Sequence, residues 1–219
     1  MSATDLFDAI RANNVAAIQS LLVSHPSLAS AKNEKGVSAI LMSVYMGRRE
    51  IRDVLRTHGA ILDVYDAVAL GDLDSSRRFL TSDPALAKSS SPDGFPLIAL
   101  AAVFGHLEIT RYLASLGADV DTPATNGSGY NALTGAVASG HTEVVEWLLE
   151  NSANPNYRYG AGYSPLLTAA ANGHLEILKL LVSHGADPNA TTADGKSATA
   201  LATERNHPAA ADYLASLKK

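Results

Sequence analysis

The sequence predicts an all-α fold: a solenoid of about seven stacked helix–turn–helix repeats forming one domain, residues 1–219. Three observations predict it. Glycines recur at near-constant spacing, two short helical patterns fill each interval, and the N-terminal half repeats itself without a gap. Each repeat of such an array buries its apolar face only against a neighbour, so periodicity decides the architecture before any single motif does.

Glycine supplies the ruler. Gly105, Gly140 and Gly173 lie 35 and 33 residues apart, each followed by histidine (His106, His141, His174), and Asn206-His207 falls another 33 residues on. Gly47 and Gly71 extend the series towards the N-terminus. A second ladder runs Gly94, Gly129, Gly162, Gly195, and a third pairs Gly59, Gly117, Ser152 and Gly185 each with a following alanine.

The interval from Gly162 shows how the elements arise. Ser164 suits a helix N-cap and Pro165 the first helical position, where its missing N–H costs nothing. Leu166, Ala169 and Ala170 share one face of a helix over about 164–172, and Gly173 ends it because a left-handed residue is easiest for glycine. A second helix starts at Leu175, with Ile177, Leu180 and Leu181 on its apolar stripe, and stops at Gly185. The loop from Ala186 leads to the next repeat. Trp147 falls at a packing phase of such a second helix and reads as core.

The N-terminal half needs an ungapped offset of 58: Leu6–Ile10 aligns with Val64–Val68, Pro26 with Pro84, Gly36 with Gly94, and Gly47 with Gly105. It reads as a duplicated pair of repeats, each pair opening with one that lacks a finger loop. The seven repeats are then about 4–31, 36–63, 64–89, 94–121, 129–156, 162–189 and 195–219, the first and last being caps. Lys218 and Lys219 suit the polar outer face that a cap requires.

The stretch from Gly162 to Asn189 reads GYSPLLTAAANGHLEILKLLVSHGADPN, which resembles the ankyrin repeat pattern G-x-T-P-L-H-x-A-A-x-x-G-H-x-E-V-V-x-L-L-L-x-x-G-A-D-x-N. The resemblance recurs along the chain, strongly from Gly94 onward and more weakly before it. It implies a helical solenoid that binds a partner protein or peptide and carries no catalytic site. One departure stands out. The histidine of T-P-L-H, which in the family helps tie adjacent fingers, is replaced by Leu41, Ala99, Thr134, Leu167 and Ala200.

Composition excludes several function classes. Apolar residues make up 47% of the chain, enough for a substantial core, and the net charge is −5 with basic residues scattered. Nucleic acid and anionic membrane surfaces are therefore not expected as partners. With no cysteine there is no disulfide, thiolate zinc site or cysteine nucleophile. The acidic start and the lack of any ~18-residue apolar run make a soluble cytoplasmic protein the expectation, and it is also expected to be monomeric.

Candidate chemistry is thin. Phased histidines on stacked helices would sit ~8–10 Å apart, too far to share a zinc ion that needs ~2.0–2.1 Å to each nitrogen, so each is expected to bond locally. Gly127–Ala132 matches the G-x-G-x-x-A dinucleotide pattern, but it follows a helix end rather than a strand and reads as a lengthened finger. Glu50, Glu108, Glu143 and Glu176 recur where a carboxylate favours a helix N-terminus, which is structural. No cofactor, metal or catalytic residue is assigned.

The informative positions are those the repeat does not need. The resemblance implies that the residue after each finger glycine and the two before each helix-ending glycine face the groove. The first set is Val37, Phe95, Tyr130, Tyr163 and Lys196; the second includes Tyr45, Met46, Val103, Phe104, Ala138, Ser139, Ala171, Asn172, Glu204 and Arg205. The finger before Gly162 adds Tyr157, Arg158 and Tyr159. Only 6% of the chain is aromatic, yet the rings concentrate on these positions, and Tyr, Phe, Met and Arg are the types enriched at interface cores. Partner contact is expected at Tyr45, Met46, Phe95, Val103, Phe104, Tyr130, Tyr157, Arg158, Tyr159 and Tyr163. The alternatives are a small-ligand or enzymatic site near Tyr157–Tyr163, and a scaffold or inhibitor that self-associates.

Overall fold

The computed structural model describes residues 2–217, so the proposed cap lysines Lys218 and Lys219 lie outside the described residues. Among those residues the secondary structure is fourteen α-helices in seven pairs, with two 3-10 turns and a few isolated β-bridges in the loops. The chain forms two compact units. One runs through Leu86 and includes Ser90–Asp93; the other holds Ala87–Ser89 and everything from Gly94.

In the N-terminal unit the pairs are α1 (Ala3–Arg11) with α2 (Val15–Ser24), α3 (Ala39–Tyr45) with α4 (Arg49–Thr57), and α5 (Val64–Leu70) with α6 (Leu73–Ser82). Helices α1, α3 and α5 pack side by side in one row, and α2 packs on α4 in the other. Leu6, Phe7, Ile10, Ile18, Leu22, Ile40, Ile51 and Leu55 build the core between the rows. The alignment at offset 58 holds for α2 and α6 and for the turns that follow them, but not for the start of the first helix in each pair. Pro26 and Pro84 each open a 3-10 turn, Pro26–Ser30 and Pro84–Lys88. Helices α1 and α5 each begin with a capping box, on Ser2/Asp5 and Asp63/Asp66, in which two otherwise orphaned N–H groups are satisfied reciprocally, but Asp5 aligns with Asp63, so α1 starts nearly one turn earlier in the alignment.

The C-terminal unit continues the scheme with α7 (Leu97–Val103) and α8 (Leu107–Ser115), α9 (Ala132–Ser139) and α10 (Thr142–Glu150), α11 (Pro165–Asn172) and α12 (Leu175–Ser183), α13 (Ala198–Glu204) and α14 (Pro208–Ser216). Its inner row is α7, α9, α11 and α13, and its outer row α8, α10, α12 and α14. Inner helices carry small buried residues such as Ala101, Ala136 and Ala170, which let neighbouring backbones approach closely. Outer helices supply the larger wedges: Ile109 and Leu113, Val145 and Leu148, Leu178 and Leu181. Two of the residues expected in the core lie outside it. Leu180 and Trp147 are only half-buried, because the buried stripe runs through Ile177, Leu178 and Leu181 on α12 and through Val144, Val145, Leu148 and Leu149 on α10, so that Ile177 and Leu181 fall where expected and Leu178 takes the place of Leu180.

The Gly-His pairs bind one repeat to the next. Gly140 and Gly173 cap α9 and α11 with φ of 79° and 72°, a conformation that costs other residues energy. Each also makes room for the histidine one repeat later. A Cβ on Gly105 would sit 2.6 Å from the His141 ring, one on Gly140 2.9 Å from His174, and one on Gly173 2.4 Å from His207. The His141 Nε2–H donates to the Val103 carbonyl at 3.1 Å. These rings therefore reach back to the preceding repeat, where the sequence reading expects local bonding.

The fingers are tied without the T-P-L-H histidine. Thr125 N–H donates to the Gly94 carbonyl and Ala193 N–H to the Ala161 carbonyl, both at 2.9 Å, joining consecutive fingers through their backbones. Asp121 accepts from Asn154 N–H at 3.2 Å, and Asn156 Nδ2 donates to the Gly185 carbonyl at 2.9 Å. In the N-terminal unit Lys32 pairs with Asp63 at 3.0 Å and Ile61 N–H donates to Ser30 Oγ at 2.8 Å.

Candidate functional site

The residues predicted for partner contact divide between the two units. In the N-terminal unit Tyr45 and Met46 close α3. Met46 is half-buried against that unit's core. The Tyr45 hydroxyl donates to Asp93 Oδ1 at 3.1 Å, and Ser91 Oγ donates to the same oxygen at 2.7 Å. Burial and the neighbouring Asp93 carboxylate together raise the Tyr45 pKa, so it stays a neutral donor. Val37, which shares the groove phase, is buried and belongs to the core.

In the C-terminal unit, four tyrosines come together from two successive fingers. Tyr130 and Tyr159 have ring centroids 5.1 Å apart and inclined at 48°. Tyr159 lies 6.4 Å from Tyr157, nearly parallel at 12°, and 6.4 Å from Tyr163 at 40°. Offset or tilted pairs at these distances add to the stabilisation from burial alone. The cause is local. Tyr159 and Tyr163 exchange two backbone hydrogen bonds of 3.0 Å, closing a tight turn in which Gly160 and Gly162 both take positive φ.

Within this cluster the side chains have different duties. Tyr159 is buried, its hydroxyl paired with that of Thr168 on α11, and burial pushes its pKa up to about 12. It is the wall on which the others rest, and is less open to a partner than the sequence reading expects. Tyr157 donates to the Gly129 carbonyl at 3.0 Å and stays half-exposed. Arg158 is exposed and donates to the Thr191 carbonyl at 2.8 Å, which pins it to the next finger. Tyr130 and Tyr163 remain half-exposed.

Phe95, Val103 and Phe104 are also half-exposed. Val103 packs where a side chain on Gly135 would otherwise lie, since a Cβ there would come within 3.3 Å of Val103 Cβ. The Phe104 ring lies 6.4 Å from the His106 ring. Beside the tyrosines, Ala138 of α9 and Ala171 of α11 leave a hollow of about 350 Å³ whose rim includes Arg205. Thr168, the anchor of Tyr159, escapes sequence reasoning because the pair meets only once the finger has folded back over α11.

The G-x-G-x-x-A segment is a finger tip: Asn126 Oδ1 accepts from Ser128 N–H at 3.1 Å and from Ser128 Oγ at 2.7 Å. Gly127 and Gly129 have φ of 86° and 69°, which explains both glycines by turn geometry. The phased glutamates sit exposed in the first turns of their helices; Glu108 pairs with Arg111 at 3.1 Å and Glu176 with Lys179 at 2.7 Å. Among the described residues no helix is long and apolar enough to cross a membrane.

Known proteins show the same repeat. A family model described as ankyrin repeats (many copies) matches residues 98–149, 135–182 and 166–215, together just over half of the chain. The mouse (Mus musculus) Ankyrin repeat and SAM domain-containing protein 6 is 30% identical over 92 residues, covering 42% of this chain and 10% of that protein. Two rice (Oryza sativa subsp. japonica) proteins, Probable E3 ubiquitin-protein ligases XBOS33 and XBOS31, are 43% and 33% identical over 81 and 93 residues. These matches cover 36% and 42% of this chain and 15% and 20% of those proteins, so the chain spans only a minor part of each relative's length. Recurrent sequence, paired helices and linked fingers agree: this chain belongs to the ankyrin-repeat family, whose repeats serve generally as protein–protein interaction modules.

Proposed function

We propose that the chain is a non-enzymatic module that binds a partner protein or peptide through its groove positions and finger loops. One observation carries this reading. Phe95, Phe104, Tyr130, Tyr157 and Tyr163 are left half-exposed on positions that the repeat does not need for stacking, in a chain with few aromatics. Such rings offer large contact area at low entropic cost. Their anchoring, as where Tyr157 is held by the Gly129 carbonyl, supports a surface ordered before the partner arrives.

The test is a paired comparison. Affinity purification with the intact chain and with Phe104→Ala and Tyr163→Ala variants should show partners lost from the variants while their thermal midpoints move little. A matching loss of stability would mean these rings are core. The hollow beside Tyr163 favours a second reading, a small-ligand site. A thermal shift on screening a metabolite library, abolished by Tyr163→Ala, would favour it. Concentration-dependent light scattering separates both readings from self-association.

A further inference from the structure

Around the tyrosines of the C-terminal unit, charges of both signs lie on groove and finger positions. The chain carries a net charge of −5, and the outer helices bear exposed Glu108, Glu143, Glu146, Glu150 and Glu176. The charged groove and finger positions around the tyrosines include Arg158, Asp194, Lys196, Glu204 and Arg205. Lys196 and Glu204 neutralise each other at 2.7 Å. Arg158 spends one N–H on a backbone carbonyl and forms no ion pair with any described residue. Arg205 is exposed at the end of α13, on the rim of the hollow, and forms no ion pair with any described residue.

Beneath that rim the hollow exists because of two small residues. Where the first repeat of this unit places Val103 and Phe104, the next two place Ala138 with Ser139 and Ala171 with Asn172. The space they release, about 350 Å³, is walled by Tyr130, Tyr159 and Tyr163. Asn172 is held by its own amide, which donates to the Ala138 carbonyl at 3.1 Å. A recess walled by tyrosine rings and alanines, with one unpaired guanidinium on its rim, is complementary to a bulky apolar or aromatic side chain next to a carboxylate.

Building on the interaction-module reading, we propose that this recess receives an acidic segment of a partner protein. A large apolar or aromatic side chain enters between Tyr130 and Tyr163, and an Asp or Glu close to it in the segment pairs with Arg205. A carboxylate is the expected anion because a single guanidinium matches it in a two-point contact, whereas phosphorylated motifs are held by clusters of arginines.

The test selects peptides from a random phage library against the full chain, then measures each synthetic, fluorescently labelled peptide by anisotropy. Selected peptides should be enriched in Asp or Glu beside an apolar residue. Arg205→Ala should weaken them roughly tenfold or more, Arg205→Lys should restore part of that loss, and replacing the peptide acid should add nothing further in Arg205→Ala. Ala171→Leu, which fills the recess, should also block binding while the melt shows the variant folded. Peptides without acidic enrichment, binding indifferent to Arg205, a requirement for phosphorylation, or no selected peptide would each overturn the proposal. If acid preference is absent but Phe104→Ala still reduces binding, only this inference fails. If no groove substitution matters, the interaction reading falls with it.

Discussion

At the scale of single residues, the helix-ending glycines meet two demands that substitution separates. Gly185 has φ of 86° with nothing near its missing Cβ, so Gly185→Ala should cost only the backbone strain, ~1–2 kcal/mol. Gly140→Ala adds a clash with the His174 ring and should cost more, measurably so by urea denaturation. His174→Ala in the same background should recover the difference. Full additivity of the two changes would show that the ring and the glycine are not coupled.

Asp66 is the other informative residue. It is buried, accepts from Asp63 N–H at 3.1 Å and from the Ser38 hydroxyl, and lies near Asp63, Lys32 and Tyr45. Burial, with Asp63 next, pushes its carboxyl up to about 6. An unfolded aspartate titrates near ~3.9, so between about 4 and 6 the folded state keeps a proton that the unfolded state releases. Stability from this group is fully present below about 4 and is lost as pH rises through 6, by at most about 2–3 kcal/mol. Urea titrations across that window should show this slope in the parent chain and its disappearance in Asp66→Asn. An unchanged slope would place the titration elsewhere.

The elements divide into an inner row of small residues and an outer row of wedges, and the consequence is position-dependent. Leu148 is fully buried, and Leu148→Ala should cost roughly 2–5 kcal/mol. Leu180 is half-buried on α12, so Leu180→Ala should cost clearly less in the same equilibrium denaturation. Equal costs would mean that α12 sits rotated from the register described here. Helical phase alone places Leu180 on the stripe, because α12 is apolar around most of its circumference. Only packing selects Leu178 over Leu180 beside Ile177 and Leu181.

For the whole molecule, stability in the C-terminal unit passes between neighbours, since each repeat touches only the next. Damage in the middle should therefore spread both ways. Leu148→Ala should raise amide exchange in the helices on both sides of α10, whereas Leu214→Ala in α14 should raise it only in the terminal pair. Uniform loosening by either change would argue for a single undivided core.

By itself, the sequence determined the repeat. Glycine phase, caps such as Ser164 before Pro165, and the offset between Pro26 and Pro84 are local backbone requirements, and local requirements are legible one residue at a time. Aromatic side chains on spare positions were legible for the same reason. What only the tertiary structure decided is which of them face outwards: Tyr159 is sealed by Thr168, Val103 fits over Gly135, and Arg205 borders a hollow left by Ala138 and Ala171. Those outcomes depend on contacts between side chains from different repeats, and stacking geometry sets such contacts where spacing along the chain cannot.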